Sequence, residues 1–263
     1  MPYWLRCAMV CLLLVPTARK SVAEEVFSNE QKTAIESILH DYYLNHPEAF
    51  IEAIRKAQSV LRAGGDSTAR ASVAQRRNDL VADPQTPVGG NTSGNVTIVE
   101  FFDYRCPYCK RAHPDILGLI REDREVRIVY KDLPVLGPDS VFAARAALAA
   151  SLQGGYQRLH DAMLESSTPL TNEAVLALAD ASGLDRQRLA RDMTSPEVEG
   201  ILARNAELAH SLGINGTPSF VVGDTLVPGA IEPAGMKKLV LSQREAMRGE
   251  AKSMQPSTRE MAH

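Results

Sequence analysis

The sequence predicts a mixed α/β fold: a small sheet with helices on both faces, an inserted helical block, and a helical segment ahead of it. Three observations carry that reading. Two short apolar runs, Val96–Phe102 and Val126–Tyr130, flank a helix-patterned stretch that opens on Cys106-Pro107-Tyr108-Cys109. Residues from about 137 to 212 are patterned for helices almost throughout. Ser219–Val222 and Thr225–Val227 then enclose Gly223-Asp224, a hairpin signal, before a last helix-patterned stretch, Pro233–Arg248.

The first 23 residues read as a secretory signal. A positive residue, Arg6, precedes the apolar stretch Cys7–Val15, which is too short to span a bilayer. Ser21-Val22-Ala23 offers small residues for cleavage. Cleavage would remove Arg6, Arg19 and Lys20 and no acid, leaving a chain more acidic than the full sequence, whose net charge is −3. Such a balance gives no electrostatic support for nucleic-acid binding. Export implies a periplasmic, oxidising compartment, in which a cysteine pair can persist as a disulfide.

Residues 24–85 read as a helical region. Ser28 with Gln31 makes a capping box, and Ile35, Ile38, Leu39 and Tyr42 follow at helical spacing. Asn45-His46-Pro47 ends that helix, with Pro47 placed to start the next. Phe50, Ile51, Ile54, Ala57 and Leu61 form its stripe, and Gly64-Gly65 is expected to interrupt it. Such narrow stripes need a cover, and self-association into a homo-oligomer is the expected one. Pro84–Asn95 reads as a linker, and 249–263 as a disordered tail.

Within the main domain, 86–248, the run Val96–Phe102 suits a buried central strand. The helix that follows begins at the cysteine pair. Val126–Tyr130 is the second strand, and strand–helix–strand favours a parallel pairing. The block at about 137–212 divides into five helical patterns.

The cysteine pair is open to three readings: redox centre, half a metal site, or structural staple. The other two cysteines, Cys7 and Cys11, fall in the segment expected to be removed. A metal would need further ligands, and His113 is the one histidine near in sequence. A staple closing so short a loop constrains little chain entropy. A cysteine at a helix start meets free N–H groups and the positive dipole end, which favour a thiolate. Cys106 is the expected exposed nucleophile and Cys109, one turn on, the inward resolving thiol. Far downstream, Gly216-Thr217-Pro218 puts a proline at a strand entrance, where a cis bond is possible.

The stretch Glu100-Phe101-Phe102-Asp103-Tyr104-Arg105-Cys106-Pro107-Tyr108-Cys109, together with Gly216-Thr217-Pro218, resembles the DsbA-like thiol–disulfide oxidoreductases of the thioredoxin superfamily. The resemblance covers about 87–248. It implies a thioredoxin-like fold with an inserted helical domain, catalytic roles for Cys106 and Cys109, and a cis peptide between Thr217 and Pro218. It also implies a buried carboxylate at Glu100 with Lys131 as its partner. With Cys106-Pro107-Tyr108-Cys109, Thr217 before Pro218 and a helical segment ahead of the domain, the chain looks closer to the ScsC- and DsbG-like branch, some members of which oligomerise through N-terminal helices. That likeness implies a periplasmic disulfide isomerase or reductase acting on exported cysteine-containing proteins, oligomeric, served by a membrane redox partner, and needing no cofactor beyond the Cys106–Cys109 disulfide. A DsbA-type dithiol oxidase is the first alternative. A non-enzymatic copper-handling or chaperone-like binding protein is the second.

Overall fold

The structure is a computed structural model that describes residues 27–253, without the side chains of 49–50, 53, 57–66 and 250–253. The expected signal segment lies outside these residues, as does most of the expected tail. The elements run α1 Asn29–Asn45, α2 Pro47–Gln75, α3 Arg77–Val81, β1 Val88–Gly90, β2 Val96–Phe102, α4 Pro107–Glu122 and β3 Val126–Asp132. Then come α5 Pro138–Ser151, α6 Tyr156–Glu165, α7 Asn172–Ala181, α8 Arg186–Asp192, α9 Pro196–Ser211, β4 Ser219–Val222, β5 Thr225–Pro228 and α10 Pro233–Ser253. Among the described residues no helix is long and apolar enough to cross a membrane.

The chain divides into two compact units, 1–59 and 60–263. In the first, α1 starts at the Ser28–Gln31 capping box, with both reciprocal bonds formed. The helix buries no residue: Ile38 is 67% exposed and Leu44 69% exposed.

The second unit is built on a five-stranded sheet of order β1-β3-β2-β4-β5. β2 pairs with β3 in parallel, and the other pairings are antiparallel. The parallel crossover needs a helix, and α4 supplies it. Alternation along β2 and β3 sorts their side chains between two cores. Ile98, Phe102, Ile128 and Tyr130 face one core, with Ile116 and Leu119 of α4, Leu148 of α5, Leu159 of α6 and Val240 of α10. Val99, Phe101 and Val129 face the other, with Val73, Leu80 and Leu208. Each such side chain contributes roughly 1.5–3 kcal/mol when buried.

Three expectations on the fold are corrected. Gly64-Gly65 does not interrupt α2, which continues to Gln75. A helical glycine costs only about 1 kcal/mol each, and nothing sterically forbids the helix there. Part of the expected linker is a strand, β1, paired with β3. Two of its three residues are glycine, so it shows no strand periodicity. Gly89 is required because a Cβ there would stand 2.8 Å from the Tyr130 hydroxyl. Finally, α10 continues to Ser253, past the expected tail boundary at 249.

Candidate active site

The sheet places the cysteine pair at the C-terminal end of β2. Asp103-Tyr104-Arg105 turns the chain, and Cys106 is the N-cap of α4, in extended conformation, with Pro107 in the first turn. Proline suits that position because its missing N–H would have no helical partner. Asp103 secures the turn. Its Oδ1 accepts from the Arg105 N–H at 2.8 Å and the Ser140 hydroxyl at 2.8 Å. Its Oδ2 accepts from the Val135 and Leu136 N–H groups at 2.9 and 3.0 Å. One buried carboxylate thus ties the start of α4 to loop 133–137 and to α5. The sequence reading passed over this residue. The signal was an aspartate two residues before a peptide N–H, the pattern of an Asx turn.

Cys106 and Cys109 are both free thiols. The expected exposure of Cys106 is corrected: the residue is 4% exposed, and Cys109 is fully buried. The cover comes from the far end of the chain. The Cys106 thiol donates to the Thr217 carbonyl oxygen at 3.2 Å, and the Thr217–Pro218 bond is cis. β4 starts at the next residue and lies beside β2, so the antiparallel pairing brings residues 111 positions apart together. Around the pair, Tyr108, Val135 and Leu136 are exposed apolar side chains. The Arg111 guanidinium lies over the Tyr108 ring, 4.3 Å from its centroid.

Beneath the cysteines lies Glu100, 1% exposed. Its Oε1 has no hydrogen-bond partner among the described residues. Burial pushes its carboxyl from 4.5 up to about 8. Burial likewise drives the Cys109 thiol well up, with the Glu100 charge adding to the effect and a backbone hydrogen bond from Asp103 opposing it. A carboxyl that changes charge near neutrality thus sits within electrostatic reach of the buried thiol.

Lys131 is elsewhere. It pairs in register with Phe101, so alternation sends it to the opposite face of the sheet from Glu100. Its ammonium donates to Thr86 Oγ1 at 2.8 Å. The expected Glu100–Lys131 pair is therefore not formed. The residue in register with Glu100 is Tyr130, whose hydroxyl burial raises above the usual tyrosine range, with the Glu100 charge second.

The same face carries a buried polar cluster that sequence reasoning missed. His160 of α6 stacks on Tyr156 and approaches Tyr130, Phe102 and His113. Burial lowers it to about 3, with the His113 charge adding. Tyr156 donates to Asp132 Oδ2 at 3.1 Å, and burial raises Asp132 to about 7. Lys110 donates to the Met163 and Ser166 carbonyl oxygens, fastening α4 to the end of α6.

Comparison with known proteins places this geometry. The DSBA-like thioredoxin domain family matches residues 97–240. A thioredoxin-like oxidoreductase from Silicibacter pomeroyi is 49% identical, with a TM-score of 0.63, covering 64% of this chain and 98% of that one. Proteus mirabilis ScsC in a transitional conformation is 26% identical, with a TM-score of 0.62, covering 84% of this chain and 100% of that one. The Na(+)/H(+) antiporter NhaA 3 of Salinispora tropica is 31% identical over 157 residues, which is 59% of this chain. The chain spans about a quarter of the length of that antiporter.

Proposed function

The chain belongs to the DSBA-like thioredoxin domain family, and from that membership we propose that it is a periplasmic thiol–disulfide interchange protein, working as an isomerase or reductase on exported proteins. One observation carries the reading: the Cys106 thiol at the α4 N-cap, 3.2 Å from the Thr217 carbonyl, with Cys109 buried behind it.

The Cys106 thiolate attacks one sulfur of a substrate disulfide. The substrate S–S bond breaks, a mixed disulfide forms, and one substrate thiolate leaves. In isomerisation a different substrate thiolate then attacks the mixed disulfide, and Cys106 leaves as thiolate with no net electron transfer. In reduction Cys109 attacks Cys106 instead. The Cys106–Cys109 disulfide forms, the second substrate thiolate leaves, and two electrons have passed to the substrate. Cys109 must lose its proton for that step, against burial. Glu100, poised near pH 8, is the group placed to take it. The reverse sequence is the dithiol oxidase reaction.

The α1 surface supports the isomerase reading. Ile38, Leu39, Tyr42 and Leu44 stand exposed on a helix with no buried residue. Self-association through this helix covers them and sets several catalytic units on one assembly. A membrane reductant keeps the thiols reduced.

Refolding of a scrambled disulfide protein tests this directly. The wild-type chain restores activity, Cys106→Ser loses it entirely, and Ile38→Asp with Leu39→Asp gives a monomer by light scattering that reduces disulfides but reshuffles them poorly. A wild-type chain that oxidises thiols without reshuffling them is an oxidase. A Cys106→Ser variant with full activity removes the enzymatic reading.

A further inference from the structure

The residues of the thiol mechanism leave one buried group of donors unexplained. His113 lies on α4, one turn beyond Cys109, and His160 and Asp161 lie on α6. One ligand atom from each of the three falls within 4.8 Å of the others. The two histidines are 3% and 0% exposed. Neither Nε2 has a hydrogen-bond partner among the described residues. His113 Nε2 is 3.3 Å from Asp161 Oδ1, but without the direction of a hydrogen bond. Buried polar atoms are nearly always satisfied, so an unpartnered His160 Nε2, beside a His113 Nε2 held only by its 3.3 Å approach to Asp161, calls for a partner that the three could share.

We propose that His113, His160 and Asp161 bind a divalent transition-metal ion of the zinc type, at a site distinct from the Cys106–Cys109 pair.

Three features fit the donors to that chemistry. Two imidazoles and a carboxylate are the ligand set that borderline divalent ions accept, with a fourth position open to water. Bonds of about 2.1 Å in a tetrahedron put ligand atoms about 3.4 Å apart. The His113–Asp161 edge of 3.3 Å already meets this, and the other two edges lie within 4.8 Å. The supporting contacts orient the ligands, as such partners do around bound metals. His160 Nδ1 is 3.1 Å from the Tyr104 hydroxyl, and with the ring proton on Nδ1, donated to that oxygen, the Nε2 lone pair is free for an ion. Gln157 Nε2 donates to Asp161 Oδ1 at 2.7 Å. Asp161, 31% exposed, provides the path in from solvent. The ion would join α4 to α6, the same two helices that Lys110 fastens one turn earlier.

The test is a zinc titration by calorimetry on the full chain with Cys106 and Cys109 oxidised to the disulfide, so that the thiols do not compete. One zinc ion is expected per chain, with a rise in the thermal midpoint. Cobalt in its place should give tetrahedral visible absorption without thiolate charge transfer. Asp161→Asn and His113→Gln should each weaken binding by tenfold or more. Circular dichroism and the metal-free melting curve show whether each variant is folded. His160, in the aromatic core, is left unchanged. Three results overturn the proposal: no zinc bound by the oxidised chain, equal binding by folded Asp161→Asn and His113→Gln, or binding confined to the reduced chain with thiolate absorption.

Discussion

Glu100 and Lys131 stand on neighbouring strands of one sheet, each 1% exposed, and their surroundings differ in kind. Glu100 faces the cysteine core, where its Oε1 has no hydrogen-bond partner among the described residues and burial holds its carboxyl near 8. Lys131 faces a cavity of about 650 Å³ that Asp83 and Arg204 also line. Burial lowers its ammonium to about 8, but attraction to Asp83 opposes the shift and Thr86 Oγ1 accepts its hydrogen bond. A charge with an acceptor and a counter-charge is a satisfied structural group. A buried carboxyl with no counter-charge keeps its proton to higher pH, and Glu100 does so under the thiol that must be deprotonated to resolve the mixed disulfide.

Glu100→Gln is the largest expected break in this contrast. Losing the proton acceptor should slow Cys109 attack on the mixed disulfide by roughly 100-fold, at the low end for general-base groups. Stopped-flow release of a fluorescent substrate thiol reads this step, and its pH dependence near 8 should flatten. Stability moves the other way. The folded carboxyl titrates near 8 and the unfolded one near 4.5, so between these values the folded state holds the extra proton. Wild-type stability therefore falls as pH rises through that window, by up to about 1.4 kcal/mol per pH unit. Gln removes the loss: its advantage should be nil below pH 4.5 and greatest above 8. Denaturant melts at pH 4.5 and 8.5 that differ from wild type by the same amount would contradict a buried, unpaired Glu100.

The contrast also marks what the sequence could and could not say. Strands β2 to β5, the inserted helices and the cysteine pair were legible because each has a local signature: apolar runs, a hairpin turn, helical spacing, a motif at a helix start. Thr217-Pro218 was legible as a proline at a strand entrance, where a cis bond is possible. The Glu100–Lys131 pair failed for a simple reason. Side chains alternate along a strand, and the in-register partner of Glu100 is Tyr130, one residue short of Lys131. Strand β1 escaped because its pairing depends on Tyr130 lying over Gly89, a contact between residues 41 apart. His113 was visible as a lone histidine, and nothing local announced that an inserted helix would bring His160 and Asp161 to it.

Asp103 sharpens the contrast from the acidic side, as a buried carboxylate that is fully satisfied. It accepts four hydrogen bonds from three segments. Asp103→Asn replaces one acceptor oxygen with a donor and leaves amides of loop 133–137 or the α4 turn without a partner. A loss of roughly 1.5–3 kcal/mol is expected, the range for hydrogen bonds to charged groups. Faster hydrogen exchange should be confined to the Val135 and Leu136 amides, the Arg105 amide and the first turn of α5. Unlike Glu100→Gln, the variant should lower stability, without the growing gain toward pH 8. Uniform loss of protection across the sheet would mean that Asp103 is not the local anchor described.

The smallest expected effect belongs to Lys131→Met, and its smallness is what tests the comparison. Methionine fills similar volume and carries no charge. Asp83 keeps the Arg204 guanidinium at 3.3 Å and the Gln85 N–H at 3.0 Å, so no carboxylate is stranded. Thr86 loses one donor. Replacing a buried, satisfied charge with an apolar group is often neutral or mildly stabilising, so at pH 7 the change should stay within about 1 kcal/mol. The sign should depend on pH. The folded ammonium titrates near 8, below its ordinary 10.5, so wild-type stability rises from pH 8 to 10.5 as the unfolded chain releases its extra proton. Any advantage of Met should therefore appear below pH 8 and fade above it, opposite in direction to Glu100→Gln. Resolution of the mixed disulfide should change less than threefold, with its pH profile in place. A profile displaced as far as that of Glu100→Gln would mean that Lys131 communicates with Cys109 through the sheet, and the assignment of the thiol step to Glu100 and not Lys131 would fail.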